Sequence, residues 1–349
     1  MKAVVKFGQE NDMVALRDEP IPSPSDQEIL LDVKAAGICG SDIEMWRHRF
    51  TYRVNTPVIQ GHEFCGVIAE TGRAVVGWKV GDRVVSETSA FVCGACRYCL
   101  SGDYNMCPSR LGFGYGTNGA FARYVAVRQQ ILHRIPEALS FEEAAIIEPA
   151  CVAYNALVVR SRIRPGDSVV VIGPGPIGLN CLQMASVAGA GRLFLVGTEA
   201  DEARLGVAKE LCPNAVALCG NPEDTISRVL EATGGYGANL VVDAAGNSET
   251  LRLSLALVCR LGQITKIGWG PDPVAFSLDL LLTKAVTLQG TYGHSRQAWE
   301  HVIGLLDAGV LRLKPLVSHV LPISEWRRGY EMVESREAVK VILTPEGSA

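Results

Sequence analysis

Hydrophobic and polar positions follow two different rhythms along the chain. Up to about residue 140, the apolar runs are short and are separated by Gly, Pro and Asp, as in the turn Val80–Arg83. This pattern predicts an irregular, mostly-β unit. Its predicted strands include Ala3–Phe7, Ile29–Ala35, Phe64–Ala69 and Arg83–Ser86.

From Ser168 onward, buried strand patterns alternate with helical patterns. The predicted strands are Ser168–Ile172, Leu193–Val196, Leu240–Ala244 and Gln263–Gly268. The predicted helices are Pro176–Ala188, Ala200–Leu211 and Ser248–Cys259. Such β-α-β alternation is typical of an open parallel sheet, so the predicted fold class is α/β.

Two further stretches complete the predicted order of elements. Ser140 and Glu143 have the spacing of a capping box, which predicts a helix from Phe141 that Pro149 kinks or ends. After residue 290, the pattern predicts helices near Arg296–Asp307 and Ser324–Glu334 and a final strand Val339–Leu343. We expect that strand to return to the first, mostly-β unit.

Composition narrows the class of protein. The 349 residues carry a formal net charge of −4, which gives no general attraction to nucleic acid. The opening residues 1–7 are too short for a signal peptide, and Glu148 and Pro149 interrupt the most apolar stretch, Ala144–Val159. We therefore expect a cytoplasmic protein with neither a nucleic-acid nor a membrane partner.

Four of the eleven cysteines lie close together, at Cys93, Cys96, Cys99 and Cys107. Four thiolates at this spacing can enclose one tetrahedral Zn²⁺ and leave no coordination position open, so the site would stabilise its loop. An iron–sulfur cluster is an alternative, because Pro108 follows the last cysteine. Disulfides are a weaker alternative without a secretory signal.

Two shorter segments precede this cluster, one containing Cys39 and the other containing His62 and Glu63. Together they offer a thiolate, an imidazole and a carboxylate, which is the donor set of a catalytic zinc site with one open position. Asp42 is a candidate for orienting His62 through its second ring nitrogen.

A glycine-rich turn follows the first strand of the parallel sheet. Gly173, Gly175 and Gly178 form a G-x-G-x-x-G motif, with Ile177 inside it, at the start of a predicted helix. This context predicts a dinucleotide site with the pyrophosphate at the helix N-terminus. Glu199 follows about 20 residues later and predicts NAD rather than NADP, although it could instead cap the next helix.

Taken together, these motifs give a family resemblance. The chain resembles the zinc-dependent medium-chain dehydrogenases, and among them the sorbitol and threonine dehydrogenase branches. The resemblance rests on Cys39–Asp42, Gly61–Glu63, the four cysteines, Glu148–Pro149 and the glycine-rich turn, in that order. It implies a GroES-like catalytic domain from residues 1–151 and 290–349 and a Rossmann NAD-binding domain from residues 152–289.

The resemblance also implies roles for individual residues. Cys39 and His62 would bind the catalytic zinc, with either Glu63 or Glu148 as the third ligand, and Ser41 would relay the substrate proton. The apolar residues before Glu148 also make a simple surface position improbable, since a buried charge needs a partner. The expected cofactors are NAD and two Zn²⁺ per chain, and the expected assembly is a dimer or tetramer.

Other positions bear on the cofactor and the substrate. Arg204 matches a position near the adenosine and leaves the NAD preference slightly open, while Ile267 and Gly268 would flank the nicotinamide. Glu44 stands where relatives have a histidine, and Thr291–His294 replaces the Arg-Tyr pair of sorbitol-type enzymes. Either Glu44 passes protons to solvent in place of that histidine, or Ser41 and water suffice for this transfer.

The predicted activity is oxidation of a secondary alcohol in a small molecule such as a polyol, a cyclitol or a sugar derivative. A threonine-type dehydrogenase is an alternative, and so is a non-catalytic nucleotide-binding relative. A zinc-free reductase of the same fold would lack both the four cysteines and the Gly-His-Glu segment.

The segment Trp46–Arg53 contains three arginines, Arg47, Arg49 and Arg53. Arginine pairs bidentately with phosphate and carboxylate groups, so this segment could attract an anionic substrate. The alternative, which a run of charged residues favours, is a solvated or subunit-contact loop.

Overall fold

The computed structural model describes residues 1–270 and 273–347 as two compact units. The first unit contains Met1–Glu148, Ser295–Gly309 and Leu316–Ala349, and the second contains Pro149–His294 and Val310–Pro315. The chain therefore enters the second unit after Glu148. The short segment Val310–Pro315 also belongs to that unit.

The strands, β1 to β16 in chain order, are Lys2–Lys6, Val14–Asp18, Glu28–Gly37, Val58–Ile59, Glu63–Thr71, Arg83–Ser86, Tyr124–Arg128, Leu132–Arg134, Ser168–Ile172, Arg192–Gly197, Val216–Cys219, Ala238–Asp243, Val258–Lys266, Thr287–Gly290, Val317–Pro322 and Lys340–Thr344. The helices, α1 to α11, are Gly40–Trp46, Arg97–Leu100, Phe141–Ala145, Ile147–Tyr154, Pro176–Val187, Glu202–Leu211, Pro222–Ala232, Ser248–Leu257, Asp279–Thr283, Arg296–Asp307 and Trp326–Glu334. A π-helical turn, Asn155–Val159, continues α4. No helix in the described part of the chain has the length and apolar character needed to cross a membrane.

The first unit contains two sheets. The small one has the order β2-β1-β4, and the larger one has the order β15-β16-β3-β5-β6-β8, with β7 also paired to β3. The tail strand β16 runs antiparallel to β3, with Ile342 opposite Gly37, which confirms that the tail returns to this unit. Alternate apolar side chains of β3 and β5, such as Leu31, Val33 and Phe64, lie in its core.

The second unit is built on one parallel sheet with the order β11-β10-β9-β12-β13-β14. Its central strand β9 has the sequence SVVVI and is buried at every residue, as expected for a parallel strand covered on both faces. The direction of strand addition reverses between β9 and β12, and ligands bind at such a switch point in doubly wound sheets. The predicted α/β fold class, with a mostly-β unit and a doubly wound parallel sheet, is confirmed.

Several predicted elements differ from the structure. The helix predicted to reach Cys259 ends at Leu257, and β13 begins at Val258 rather than at Gln263. Neither β11 nor α7 was predicted. Helix α7 has a recognisable start, with Asn221 as its N-cap and Pro222 in its first turn, whereas β11 has only four residues and most of them are partly or fully exposed. Such a strand leaves little apolar periodicity to detect.

The helix break predicted at Pro149 falls earlier, at Ile146. Helix α3 begins after the predicted capping box, in which Ser140 accepts from the Glu143 N–H at 3.3 Å, and it ends at Ala145. Pro149 lies within the first turn of α4. A proline fits there because the N–H groups of a first helical turn have no intrahelical acceptor.

Candidate functional site

The four clustered cysteines surround one point in space. Their sulfur atoms all lie within 4.8 Å of one another, and three of the separations are 3.6, 3.6 and 3.9 Å. A tetrahedral site with Zn–S bonds of about 2.3 Å has sulfur–sulfur edges of about 3.8 Å. The cysteine lobe, residues 93–107, therefore fits one zinc ion in a closed site, and these separations are too long for disulfide bonds.

Backbone N–H groups stabilise negative charge within the lobe. The Cys96 N–H donates to the Cys93 sulfur at 3.3 Å, and the Cys93 N–H donates to the Cys107 sulfur at 3.4 Å. Hydrogen bonds from Ala95 and Cys96 lower the pKa of Cys93 from 9.0 to about 6. A thiol with this pKa is largely a thiolate at neutral pH, which is the form that binds metal.

A buried polar network joins the lobe to the rest of the first unit. The Tyr104 hydroxyl donates to Glu87 at 2.5 Å, and His133 lies between Glu87 at 3.0 Å and Glu300 at 2.9 Å. The His133 ring also stacks on Trp299 with 5.3 Å between ring centroids. Sequence reasoning missed this network, because its partners are separated by 17, 46 and 167 residues and no local motif marks them.

A second group of metal donors forms where β3 and β5 lie side by side. Gly37 pairs with Glu63, which brings the chain just beyond β3 next to the start of β5. Cys39 caps helix α1 at that point, and the donor atoms of Cys39, His62 and Glu63 lie within 4.8 Å of one another.

This second group has polar atoms that lack partners. His62 Nδ1 and Asp42 Oδ1 are buried and make no hydrogen bond with the described residues, whereas Glu63 Oε2 has an ion-pair partner in the Lys340 ammonium at 2.7 Å. Asp42 Oδ1 lies 3.8 Å from His62 Nδ1, while Asp42 Oδ2 accepts the Cys39 N–H at 2.9 Å. Because His62 Nδ1 and Asp42 Oδ1 face each other, Asp42 is placed to orient the His62 ring.

The charged side chains of this group also fit a bound cation. Burial by itself lowers the pKa of His62, but Cys39, Asp42 and Glu148 together raise that pKa well above 6.5. Burial also raises the pKa of Asp42 and the pKa of Glu63. A thiolate, an imidazole and a carboxylate gathered in this way fit a Zn²⁺ ion.

Lys340 supplies one cation to this group, and sequence reasoning missed it. Its ammonium lies 2.7 Å from the Glu63 carboxylate and donates to the Ile38 carbonyl at 2.9 Å. Burial lowers the pKa of Lys340, but Glu63 and Cys39 outweigh burial and raise it. The lysine lies 277 residues from Glu63, on the last strand, so no spacing pattern could reveal it.

The remaining predicted catalytic residues lie around this group. The Glu148 carboxylate is not among the atoms within 4.8 Å, but its charge raises the pKa of both His62 and Glu63. Ser41 lies half-buried in the first turn of α1. Glu44 accepts two hydrogen bonds from Arg49, at 2.9 and 3.1 Å, and is therefore paired with that arginine.

The glycine-rich turn has the geometry that its sequence predicts. Gly173 has a φ of +100°, and a side chain at Gly178 would collide with the Gly173 carbonyl oxygen. A Cβ at Gly175 would meet no atom within 4 Å, so open space lies beside the N-terminus of α5. Ile177 lies half-buried in the first turn of this helix. Such an N-terminus can accept a phosphate group.

Glu199, the acidic residue after β10, faces solvent. Thr198 and Asp201 cap the next turn through a hydrogen bond of 2.8 Å between their side chains, so Glu199 is not the cap. Glu199 is exposed, and Arg204 lies 3.6 Å from Asp201. Gly268 follows β13 directly after the buried Ile267.

The arginine-rich segment divides into paired and unpaired positions. Arg47 binds Glu334 through two bonds of 2.8 and 2.5 Å and stacks over Trp46, while Arg49 binds Glu44. Arg53 is exposed and has no ion pair with the described residues. It borders a cavity of about 640 Å³, whose lining contains no acidic residue and consists of Lys6, Gln9, Met45, His48, Phe50, Tyr52, Arg53, Val54, Asn55 and Thr56.

Comparisons with known proteins agree with this architecture. Residues 25–137 match the alcohol dehydrogenase GroES-like domain, and residues 176–308 match the zinc-binding dehydrogenase domain. The chain is 38% identical over 346 residues to a sorbitol dehydrogenase of Halalkalibacterium halodurans, covering 99% of each chain. It is 35% identical over 344 residues to a D-arabitol-phosphate dehydrogenase of Enterococcus avium, covering 98% of this chain and 97% of that one. The solved alcohol dehydrogenase of Thermus sp. ATN1 superposes with a TM-score of 0.88 at 32% identity, over 99% of this chain and 100% of that one.

Proposed function

The chain belongs to the zinc-dependent alcohol dehydrogenases of the medium-chain family, in their polyol and threonine dehydrogenase branch, and we propose that it oxidises a secondary alcohol of a polyol, cyclitol or sugar derivative to a ketone with NAD. The reaction converts the alcohol and NAD⁺ to the ketone, NADH and a proton. The observation that carries this proposal is that the donor atoms of Cys39, His62 and Glu63 lie within 4.8 Å of one another.

In this proposal, Cys39, His62 and Glu63 hold the catalytic Zn²⁺, and the cysteine lobe holds a second, structural zinc. The bound catalytic ion supplies Lewis acidity that favours loss of the hydroxyl proton. Glu63 is preferred over Glu148 as the third protein ligand because its carboxylate lies within 4.8 Å of the other two donor atoms. Glu148, close enough to affect their charge, is proposed to orient the substrate or a water molecule.

The chain's own residues prepare the site for proton transfer. Asp42 faces His62 Nδ1 at 3.8 Å, which directs the opposite ring nitrogen towards the donor group. Ser41 offers a hydroxyl one position before Asp42 and is proposed to take the substrate proton. Glu44 is tied to Arg49, so we assign it no direct role in that transfer.

The cofactor preference is proposed from the loop after β10. The exposed carboxylate of Glu199 suits the ribose 2′-hydroxyl of NAD and repels the 2′-phosphate of NADP. Arg204, the cation that could oppose this preference, lies beside Asp201.

The substrate is proposed to carry an anionic group. Arg47 and Arg49 already bind carboxylates, and Lys6 donates to the Glu10 carbonyl, so Arg53 and His48 are the other basic residues that line the cavity. This cavity begins at Met45 and His48, at the far end of helix α1 from Cys39. One relative is a D-arabitol-phosphate dehydrogenase, so a phosphorylated polyol is the first substrate to try.

The test is an NAD-reduction screen on the zinc-loaded protein. It compares neutral polyols, phosphorylated polyols, sugar acids, cyclitols and threonine, with NADP in parallel. We expect the highest kcat/KM with an anionic polyol and NAD, and we expect a chelator to abolish it. If no compound of the panel is oxidised, although the protein binds NAD and holds two zinc ions per chain, the proposed substrate class is contradicted.

Two matched arginine variants test the anionic group. Arg53→Gln should raise KM for the anionic substrate by about tenfold, because a charge-assisted hydrogen bond is lost, and should leave KM for a neutral polyol unchanged. Arg47→Gln is the control. It removes the same charge from the same segment, but Arg47 is already bound to Glu334, so this variant should change neither KM. Equal effects of the two variants would exclude Arg53 as the anion-binding residue.

We also propose that the protein is a cytoplasmic homo-oligomer, a dimer or a tetramer. Strand β14 is the edge of the parallel sheet and exposes Leu288, and the preceding helix α9 exposes Leu280 and Leu282. An apolar sheet edge of this kind favours pairing with a second copy. Light scattering on the purified protein tests this assembly.

A further inference from the structure

Two loops meet at the carboxyl edge of the parallel sheet. One follows β12 and contains Ala245 and Gly246, and the other follows β13 and contains Gly268. A Cβ on Gly268 would lie 2.5 Å from the Gly246 nitrogen, so the two backbones touch with no space for a side chain. A Cβ on Gly173 would lie 3.1 Å from the Ala245 nitrogen, so the first loop also touches the glycine-rich turn.

One side chain binds both loops. The Lys266 ammonium donates to the Gly246 carbonyl at 2.8 Å and to the Gly268 carbonyl at 2.8 Å, and it lies 3.6 Å from the Asp243 carboxylate. Two of the three N–H donors of the ammonium group are thus bonded to backbone carbonyls, and the Asp243 carboxylate adds an ion pair without a hydrogen bond. Asp243 adds to the clamp, because its other carboxylate oxygen accepts the Gly246 N–H at 2.8 Å.

We propose that Lys266 is a positioning residue for the dinucleotide, which sets the loop after β12 against the glycine-rich turn and thereby shapes the cofactor site. The contacts run without interruption from Lys266 to Gly246, through Ala245, to Gly173. This edge of the sheet is where a doubly wound fold binds its ligand. The inference rests on the proposed use of a nicotinamide cofactor, and it adds a residue that none of the motifs contains.

The same sheet offers a matched control at its opposite edge. Lys284 also donates to three backbone carbonyls, those of Leu255, Ala256 and Val258, at 2.7, 3.1 and 2.8 Å. Its acceptors lie at the end of α8 and the start of β13, which is the amino edge of the sheet. Lys284 is therefore a clamp of the same chemistry that lies away from the ligand-binding edge.

The experiment measures NADH and NADPH affinity by fluorescence titration, together with Tm, for wild type, Lys266→Met and Lys284→Met. This readout needs no substrate. For Lys266→Met we expect Kd for NADH to rise about tenfold, because hydrogen bonds from a charged group are worth roughly one decade in an equilibrium constant. For Lys284→Met we expect a lower Tm and an unchanged Kd. Lys266→Arg, which keeps the charge and several donors, should recover most of the affinity.

The outcomes separate this inference from the proposed function. If the wild type binds NADH and Lys266→Met binds it equally well, the positioning role is wrong and the proposed function stands. If both methionine variants lose affinity and Tm in proportion, Lys266 is only a structural clamp and the inference also fails. If the wild type binds neither dinucleotide, the proposed cofactor is wrong and the inference falls with it.

Discussion

The two candidate metal sites of the first unit, each of which contains cysteine, are built in opposite ways. The cysteine lobe takes four identical donors from fifteen consecutive residues, and two of its donors are stabilised by N–H groups of the same loop. The other site takes three different donors from the cap of α1 and the start of β5, and its counter-charge comes from Lys340. The first site is a property of a local segment, whereas the second exists only once the large sheet has formed.

Removing a donor from the assembled site should give the largest effect. Cys39→Ala is expected to lower kcat/KM by more than about a thousandfold, because metal-assisted activation of the hydroxyl is lost. Zinc content should fall from two ions per chain to one, while the affinity for NADH stays unchanged. Retained activity at one zinc per chain would show that the catalytic metal lies elsewhere.

Removing a donor from the lobe should act on stability instead. Cys96→Ser is expected to lose the other zinc ion and to lower Tm by roughly 10 °C, since the free energy of binding a structural metal adds to that of folding. Activity before heating should persist. Cys219→Ser is the control, because that cysteine is exposed and lies outside both donor groups. A large loss of kcat without any change in Tm would contradict the prediction that the lobe acts on stability.

The network behind the lobe should give the smallest effect, and one that depends on pH. Burial and the neighbouring Glu87 raise the pKa of Tyr104 above its ordinary value of 10.0. The neutral phenol is thus favoured in the folded state, and its stabilisation is complete below pH 10 and is lost as the pH rises further. Tyr104→Phe is therefore expected to lower Tm by roughly 2–4 °C at pH 8, where a buried hydrogen bond is lost, and by less at pH 10.5.

Thermal unfolding at the two pH values checks this prediction. Tyr236→Phe is the matched control, because Tyr236 is 82% exposed and should show no difference at either pH. A Tyr104→Phe difference that stays constant with pH would mean that the phenol does not resist ionisation in the folded protein.

The comparison also explains what could be predicted from the sequence. The cysteine lobe and the glycine-rich turn have fixed local spacings, so their residues were predictable one by one. The parallel sheet was predictable from its buried, β-branched strands, whereas the short and partly exposed β11 was not. Lys340 and the Glu334 partner of Arg47 escaped prediction, because a contact over 277 or 287 residues depends on the fold and leaves no local pattern. Glu87 escaped for the same reason, although its contacts span only 17 and 46 residues.

The position of Lys340 on the last strand has a consequence for protein synthesis. Ribosomes add roughly 5–20 residues per second, so the 277 residues between Glu63 and Lys340 take roughly a quarter of a minute to a minute to appear. During that time, Cys39, His62 and Glu63 have left the ribosome without their lysine and without the strand β16 that borders β3. The parallel sheet, whose strands span residues 168–290, can form before the earlier-synthesised unit is complete. The unit that holds both candidate metal sites thus begins before the parallel sheet in synthesis and is completed after it.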